Sequence, residues 1–285
     1  MKYRTIIILA GIIIILLLIV LFTGKKREPR YVISVEELKS IRIERPADTT
    51  EIEISPGGYR LIRPLEYSAD SGLIANLLNG LKELQLGEVI SQREDKYRDF
   101  EVDEKGIKLT LKGKKDIAFY IGKYAGDYLH SYLRFVQDKK VYLARGINKY
   151  QVNRSPDDWR DKTVLKLDRN SIAKIAFDEK EIVKRDTLWF YKDQQIERQK
   201  IDNILNLFSN LKANGFCDTA VFQKKYTIRI FAGSEYILEV GEKKDYSYLV
   251  KLPDKQTIFL VNEYVINSLN EVLPVIQAPA EVKKG

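Results

Sequence analysis

The feature that most restricts the fold of this chain is that it matches itself. The segment LIANLLNGLKELQ from Leu73 recurs as KIDNILNLFSNLK from Lys200, pairing Ile74 with Ile201 across 127 residues. Asn76, Leu78, Asn79 and Leu84 return as Asn203, Leu205, Asn206 and Leu211. IKLTL at Ile107 parallels YTIRI at Tyr226, and YIGK at Tyr120 parallels EVGE at Glu239. SYLRFVQDK at Ser131 then parallels SYLVKLPDK at Ser247. Blocks repeated in one order with small gaps are the mark of a duplicated unit, so whatever one copy folds into, the other is expected to repeat.

Each copy opens with strands. SIRIER at Ser40 and EIEIS at Glu51, and AKIAFD at Ala173 and EIVKR at Glu181, alternate apolar and polar residues with the period of a half-buried strand. GGYRLIRP at Gly57 and LWFYK at Leu188 supply another strand to each copy. A helix follows, its stripe formed by Leu73, Ile74, Leu77, Leu78, Leu81 and Leu84, then by Ile201, Ile204, Leu205, Phe208 and Leu211. Spacings of three and four bury such a stripe against a flat partner. Ser68, Asp70 and Ser71 are available to cap the first helix. The remaining strands are separated by turn words at Lys112-Gly113-Lys114, Gln137-Asp138, Ala232-Gly233-Ser234 and Pro253-Asp254. Short turns in place of crossover helices imply antiparallel sheets.

A second constraint sits at the start of the chain. From Thr5 to Gly24 it reads TIIILAGIIIILLLIVLFTG, twenty uncharged residues that would span ~30 Å as a helix, the thickness of a bilayer core. No Ala-x-Ala cleavage site closes it and no Cys follows it, which favours an uncleaved anchor over a signal peptide or a lipoprotein. The fold class expected is therefore α+β: an N-terminal transmembrane helix, then two similar units, each an antiparallel sheet with a helix packed on one face. The boundaries expected are 1–30 for the anchor and flank, 31–168 and 169–277 for the two repeats, and 278–285 for a tail. Lys2 and Arg4 on one side and Lys25, Lys26, Arg27 and Arg30 on the other leave the orientation open by charge alone.

Those flanks also account for much of the basic balance. The net charge is +8, but without residues 1–26 there remain 44 basic against 40 acidic residues. The rest are interspersed with acids rather than gathered in a stripe, so nucleic acid is not expected as a partner. One Cys and one His exclude an internal disulfide and a four-ligand zinc site of the Cys/His type, and no metal or cofactor is expected.

GYRLIRP leading into SADSGLIANLL, then a strand with Tyr132 and Arg134, then WRDK at Trp159, resembles the bacterial DUF4340 family of unknown function. Tyr59 stands where that family usually has Trp, and DFEVDEK at Asp99 lacks its usual Gly-Leu and Pro. The resemblance implies a membrane-anchored accessory protein that accompanies subunits of ABC-type export systems, including ones linked to gliding motility. It implies an N-terminus in the cytoplasm and a main domain outside it. It carries over no catalytic residue.

The residues themselves show no phosphate loop, dinucleotide fingerprint, zinc-protease helix, nucleophile elbow or calcium loop. His130, the single histidine, reads as an ordinary sheet-end residue, and Cys217 beside Phe216 as a packed thiol. Glu36-Glu37 and Asp157-Asp158 read as solvated carboxylates. Trp159, Arg160, Asp161 and Lys162 form the densest mixed cluster and read as a junction between the repeats. Tyr120, Tyr124, Tyr128 and Tyr132 are a candidate interaction surface, although strand propensity alone also accounts for tyrosines there. The function expected is a non-enzymatic accessory module, single-pass in the membrane through residues 5–24, offering a surface to membrane-protein subunits. The alternative is a binding module for cell-envelope polymer or peptide, and a more distant one is a hydrolase.

Overall fold

The computed structural model describes residue 3, residues 11–17 and residues 31–273. The chain divides into two compact units, residues 1–156 and 157–285, so the division falls between Pro156 and Asp157 rather than after residue 168. The segment ahead of residue 168 goes with the second unit because its strand Thr163–Lys166 pairs with Asn210–Lys212, and Val164 and Leu165 join the second core.

The expected transmembrane anchor over 5–24 requires correction, and with it the single-pass membrane placement. Among the described residues no helix is long and apolar enough to cross a membrane. Of that segment the structure describes residues 11–17, which are helical, and the rest lies outside the described residues. What dominates the described chain is antiparallel sheet.

The first unit is one nine-stranded sheet. Its strands are β1 (Ser40–Glu44), β2 (Thr49–Ser55), β3 (Gly58–Arg63), β4 (Tyr67–Ser68) and β5 (Gln85–Ser91). They continue with β6 (Ile107–Lys112), β7 (Ile117–Tyr124), β8 (Ser131–Phe135) and β9 (Val141–Arg145). The spatial order is β4-β3-β2-β1-β6-β7-β8-β9-β5, every neighbour antiparallel. Alternation sends Ile41, Ile43, Ile52, Leu109, Phe119, Ile121 and Leu133 into the core. Helix α1 (Ser71–Lys82) links β4 to β5 and buries Ile74, Leu77 and Leu81. The Asp70 side chain starts it by accepting from the Gly72 and Leu73 amides, two of the four donors that a helix start leaves unmet.

The second unit repeats this plan. Its strands are β10 (Thr163–Lys166), β11 (Ile172–Phe177), β12 (Lys180–Arg185), β13 (Leu188–Tyr191), β14 (Gln194–Gln195) and β15 (Asn210–Lys212). Then come β16 (Gly215–Phe216), β17 (Tyr226–Ala232), β18 (Ser234–Lys244), β19 (Ser247–Lys251) and β20 (Ile258–Asn262). The sheet order is β14-β13-β12-β11-β17-β18-β19-β20-β16, the first order again once β11–β14 stand for β1–β4, β17–β20 for β6–β9 and β16 for β5. Helix α2 (Arg198–Ser209) occupies the place of α1, and both its ends lie 127 residues beyond those of α1. Ile201, Ile204, Leu205 and Phe208 of α2 pack into the core that holds Ile175, Ile230 and Val240. The β10–β15 ribbon and helix α3 (Glu263–Asn270) enlarge this copy.

One matched word is out of register. SYLRF and SYLVK do occupy the corresponding strands β8 and β19. Yet Ile121 faces Leu133 in the first sheet, while its counterpart Val240 faces Val250 in the second. Leu133 is thus the structural partner of Val250, and Arg134 that of Lys251. A one-residue slip carries every side chain to the opposite face of a strand.

Candidate functional site

Arg134 points away from the main core of the first unit. Its cross-strand neighbour on β7 is Tyr120, on the face opposite to Ile121 and Leu133. That second face has its own small cluster of Val102, Tyr120 and Val141, with Tyr97, Phe100 and Tyr132 packed against it. A strap between β5 and β6, with a helical turn at Tyr97–Phe100, covers it. The strap lies so close to β7 that a Cβ added to Gly122 would stand 2.0 Å from the Phe100 carbonyl oxygen. Glycine is required there by close approach of two backbones.

This strap turns a strand arginine into a clamped one. Arg134 is only 8% exposed. Its Nε–H donates to the Val102 carbonyl at 2.9 Å. The guanidinium carbon lies 4.2 Å from the centre of the Tyr97 ring and 4.6 Å from that of Tyr120, so two aromatic rings attend the cation. Tyr97 is itself fixed, its hydroxyl donating to the Lys139 carbonyl at 2.9 Å. No carboxylate among the described residues stands within ion-pair reach of Arg134, and its two terminal nitrogens have no hydrogen-bond acceptor among them.

The same arginine lines a cleft of about 640 Å³. Arg98, Lys105 and Lys139 also line it, as do the carboxylates of Glu94, Asp103, Glu104 and Asp138. Lys139 is engaged with Glu94 at 2.9 Å. The Lys139 ammonium, with a smaller contribution from Arg134, holds the Glu94 carboxyl below its usual range. Asp138 accepts from the Tyr142 hydroxyl at 2.7 Å. Burial and that bond push the Tyr142 phenol up to about 12.

The second unit treats its cations differently. The positions of Tyr120 and Arg134 are held by Glu239 and Lys251, which face each other across β18 and β19. A hollow of about 350 Å³ lies instead beside α2, lined among others by Arg169, Lys184, Trp189, Arg198 and Asp202. Arg169 is already engaged there, bonded to Asp202 and, at 2.7 Å, to Asn206.

The sequence-flagged residues are dispersed. Trp159 is fully buried in the second unit. Arg160 is 4% exposed, paired with Asp157 at 3.0 Å and Asp218 at 2.7 Å, and its guanidinium carbon lies 3.5 Å from the centre of the Phe216 ring. Asp161 accepts from the Thr163 amide, and Lys162 lies 3.8 Å from Asp158. Arg160, Asp161 and Lys162 each have a partner within the second unit. Of the four tyrosines, Tyr120 is buried under Arg134, Tyr132 stacks with Phe100, and Tyr124 stacks with Tyr150. Only Tyr128 is well exposed, at 82%, on the β7–β8 loop beside exposed Leu129.

In that loop His130 bonds to Asp127, whose carboxylate also accepts the amides of Leu129 and His130. The histidine, then these amides, hold Asp127 down to about 2. Cys217 is half-buried, with Lys244 Nζ 3.5 Å from its sulfur. Glu36 pairs with Lys82 and Glu37 with Lys114, at 3.1 and 3.9 Å. Among the described residues no group of three His, Cys, Asp or Glu side chains is placed to hold a metal ion.

Sequence reading names Arg134 only as part of a family-like word. The available signal is an arginine in a strand opposite a tyrosine, where a surface strand would show no reason for the strap word YRDF at Tyr97 to be aromatic at both ends. No curated protein and no solved structure matches the chain. The profile of the family described as domain of unknown function (DUF4340) matches residues 60–230, which takes in α1, β5–β9, the strap and Arg134 and reaches into the second sheet. More than half of the chain being matched, it belongs to the DUF4340 family.

Proposed function

We propose that this chain is a non-enzymatic accessory module that recognises a partner protein, with the Arg134 cleft of the first unit as its point of contact and subunits of an ABC-type transport assembly as the partners. The observation that supports it most directly is the clamped guanidinium. An arginine stays protonated at any physiological pH, so it neither takes nor gives a proton and serves to bind rather than to react. Holding it between two rings and a carbonyl spends packing on orientation, which is what recognition needs. The four tyrosines give less support to the alternative of a polymer-binding face, because three of them are used in packing.

The test is co-purification of the full chain with ABC-type transport subunits co-expressed with it. Recovery with the native chain and loss with Arg134→Met, at unchanged near-ultraviolet dichroism, is the expected result. Equal recovery with both chains would remove the cleft from the reading, and no recovery with either would remove the partners.

A further inference from the structure

We infer that the Arg134 cleft binds a carboxylate, supplied by a partner polypeptide either as its C-terminus or as an aspartate or glutamate side chain; this rests on the interaction reading above and names its ligand. The argument starts from what Arg134 lacks. A cation more than nine-tenths buried is costly unless it is paired. Two tyrosine rings at 4.2 and 4.6 Å offset part of that cost. The Val102 carbonyl takes one of five N–H donors. The terminal nitrogens remain, and the residue forms part of the cleft wall.

Geometry selects the ligand. With two rings packed against the guanidinium and Nε spent, the two terminal nitrogens are the donors left for a ligand. A planar anion with two oxygens makes the paired, parallel hydrogen bonds that an arginine fork favours. A phosphate would bring further charged oxygens into a lining that already holds the carboxylates of Glu94, Asp103, Glu104 and Asp138. Those four acids balance the four cations of the lining, so the cleft has no strong field to gather polyanions. It suits one negative charge on a flat group.

The second unit provides the contrast that makes this more than a packing arginine. Its own buried arginine, Arg160, also lies over an aromatic ring, but is held by Asp157 and Asp218. Where this chain buries a guanidinium for structure, it supplies carboxylates. At Arg134 the carboxylate is missing, and the cleft is where one would enter.

The experiment uses the full chain with isotope-labelled arginine, following the Arg134 side-chain Nε–H signal by nuclear magnetic resonance. Four probes are added in turn: acetyl-trialanine with a free C-terminus, its amide, the amide with a central glutamate, and inorganic phosphate. The expected result is a saturable shift with the free C-terminus, the glutamate peptide or both, at least tenfold stronger than with the amide or phosphate. Which of the two carboxylate peptides binds tells the sources apart. Arg134→Lys, which keeps the charge and loses the fork, should abolish it, as read on the backbone signals of Val102 and Tyr97. The native chain alone decides the matter should that variant misfold. Equal response to the amide, stronger binding of phosphate, or no response to either carboxylate overturns the inference. A flat response alongside Arg134-dependent partner capture would overturn the carboxylate while leaving the accessory reading standing.

Discussion

The two units share a strand order and a helix placed at the same offset, yet they spend their second sheet face differently. In the first, the strap from Tyr97 to Val102 presses on β7 at Gly122 and encloses an aromatic pocket around Arg134. In the second, the segment ahead of β17 also meets the matching glycine, Gly241, where an added Cβ would stand 3.0 Å from the Phe222 ring and 3.1 Å from the Gln223 carbonyl. Below it Glu239 and Lys251 face each other across the strands. The helix side of each sheet is devoted to the core and has kept its pattern. The other side, free of that duty, is where the copies depart, and it is there that a binding cleft has room to form.

The comparison breaks most sharply inside the helices. Leu78 and Leu205 hold matching places, but Leu205 is 7% exposed whereas Leu78 is only half-buried. Leu205→Ala should cost roughly 2–5 kcal/mol, the range for a cavity in a packed core. Leu78→Ala should cost only about 1 kcal/mol, an ordinary value for a partly exposed site. Hydrogen exchange of the strands in each sheet reads the two losses separately. Equal losses would show that the helices are seated alike after all.

A smaller effect is expected at the paired glycines. Gly122→Ala meets backbone, which cannot turn aside, and should cost about 1–3 kcal/mol and loosen the strap. Gly241→Ala meets a ring edge at 3.0 Å and the Gln223 carbonyl at 3.1 Å, both far looser than the 2.0 Å at Gly122, and should cost less, about 1 kcal/mol. Urea unfolding of the two variants, followed by exchange at β7 and β18, checks this. A larger loss at Gly241 would mean that the second strap is the tighter one.

The mildest difference lies at the helix starts. Asp70 caps α1 through two amides, whereas Glu197 before α2 makes no such side-chain bond. Asp70→Ala should cost about 1 kcal/mol and Glu197→Ala within about 0.5 kcal/mol. Thermal melts of both single variants would expose a hidden cap on α2 if the two losses came out equal.

These pairs also show how far the residues disclose the fold. The helix match at Leu73 and Lys200 was legible because a packed stripe has a period and tolerates few substitutions. The turns at Gly113 and Gly233 were legible because each sits between two runs of strand alternation. SYLRF and SYLVK misled by one position, since identity of letters carries no record of the bulges that reset the register between β7 and β8 and between β18 and β19. That slip hid Arg134 behind Val250. The cleft was illegible for a further reason: Val102, Tyr97 and Tyr120 come together only through the strap's fold, at separations no periodic pattern spans. The apolar run at 5–24 reads as a bilayer span by hydropathy, whereas among the described residues no helix is long and apolar enough to cross a membrane.

The sheet margins carry a consequence of their own. Three of the four outermost strands, β4, β14 and β16, are two residues long. The fourth, β5, has seven residues but departs from regular pairing with β9 at two places. Short or irregular margins offer no continuous ladder for another strand to extend, which is how sheet proteins stay apart when crowded. Eighteen strands in two sheets could make this chain a seed for fibres. The borders of these two sheets make it a poor one, and a partner that needs to be read as an added strand would find little template along them.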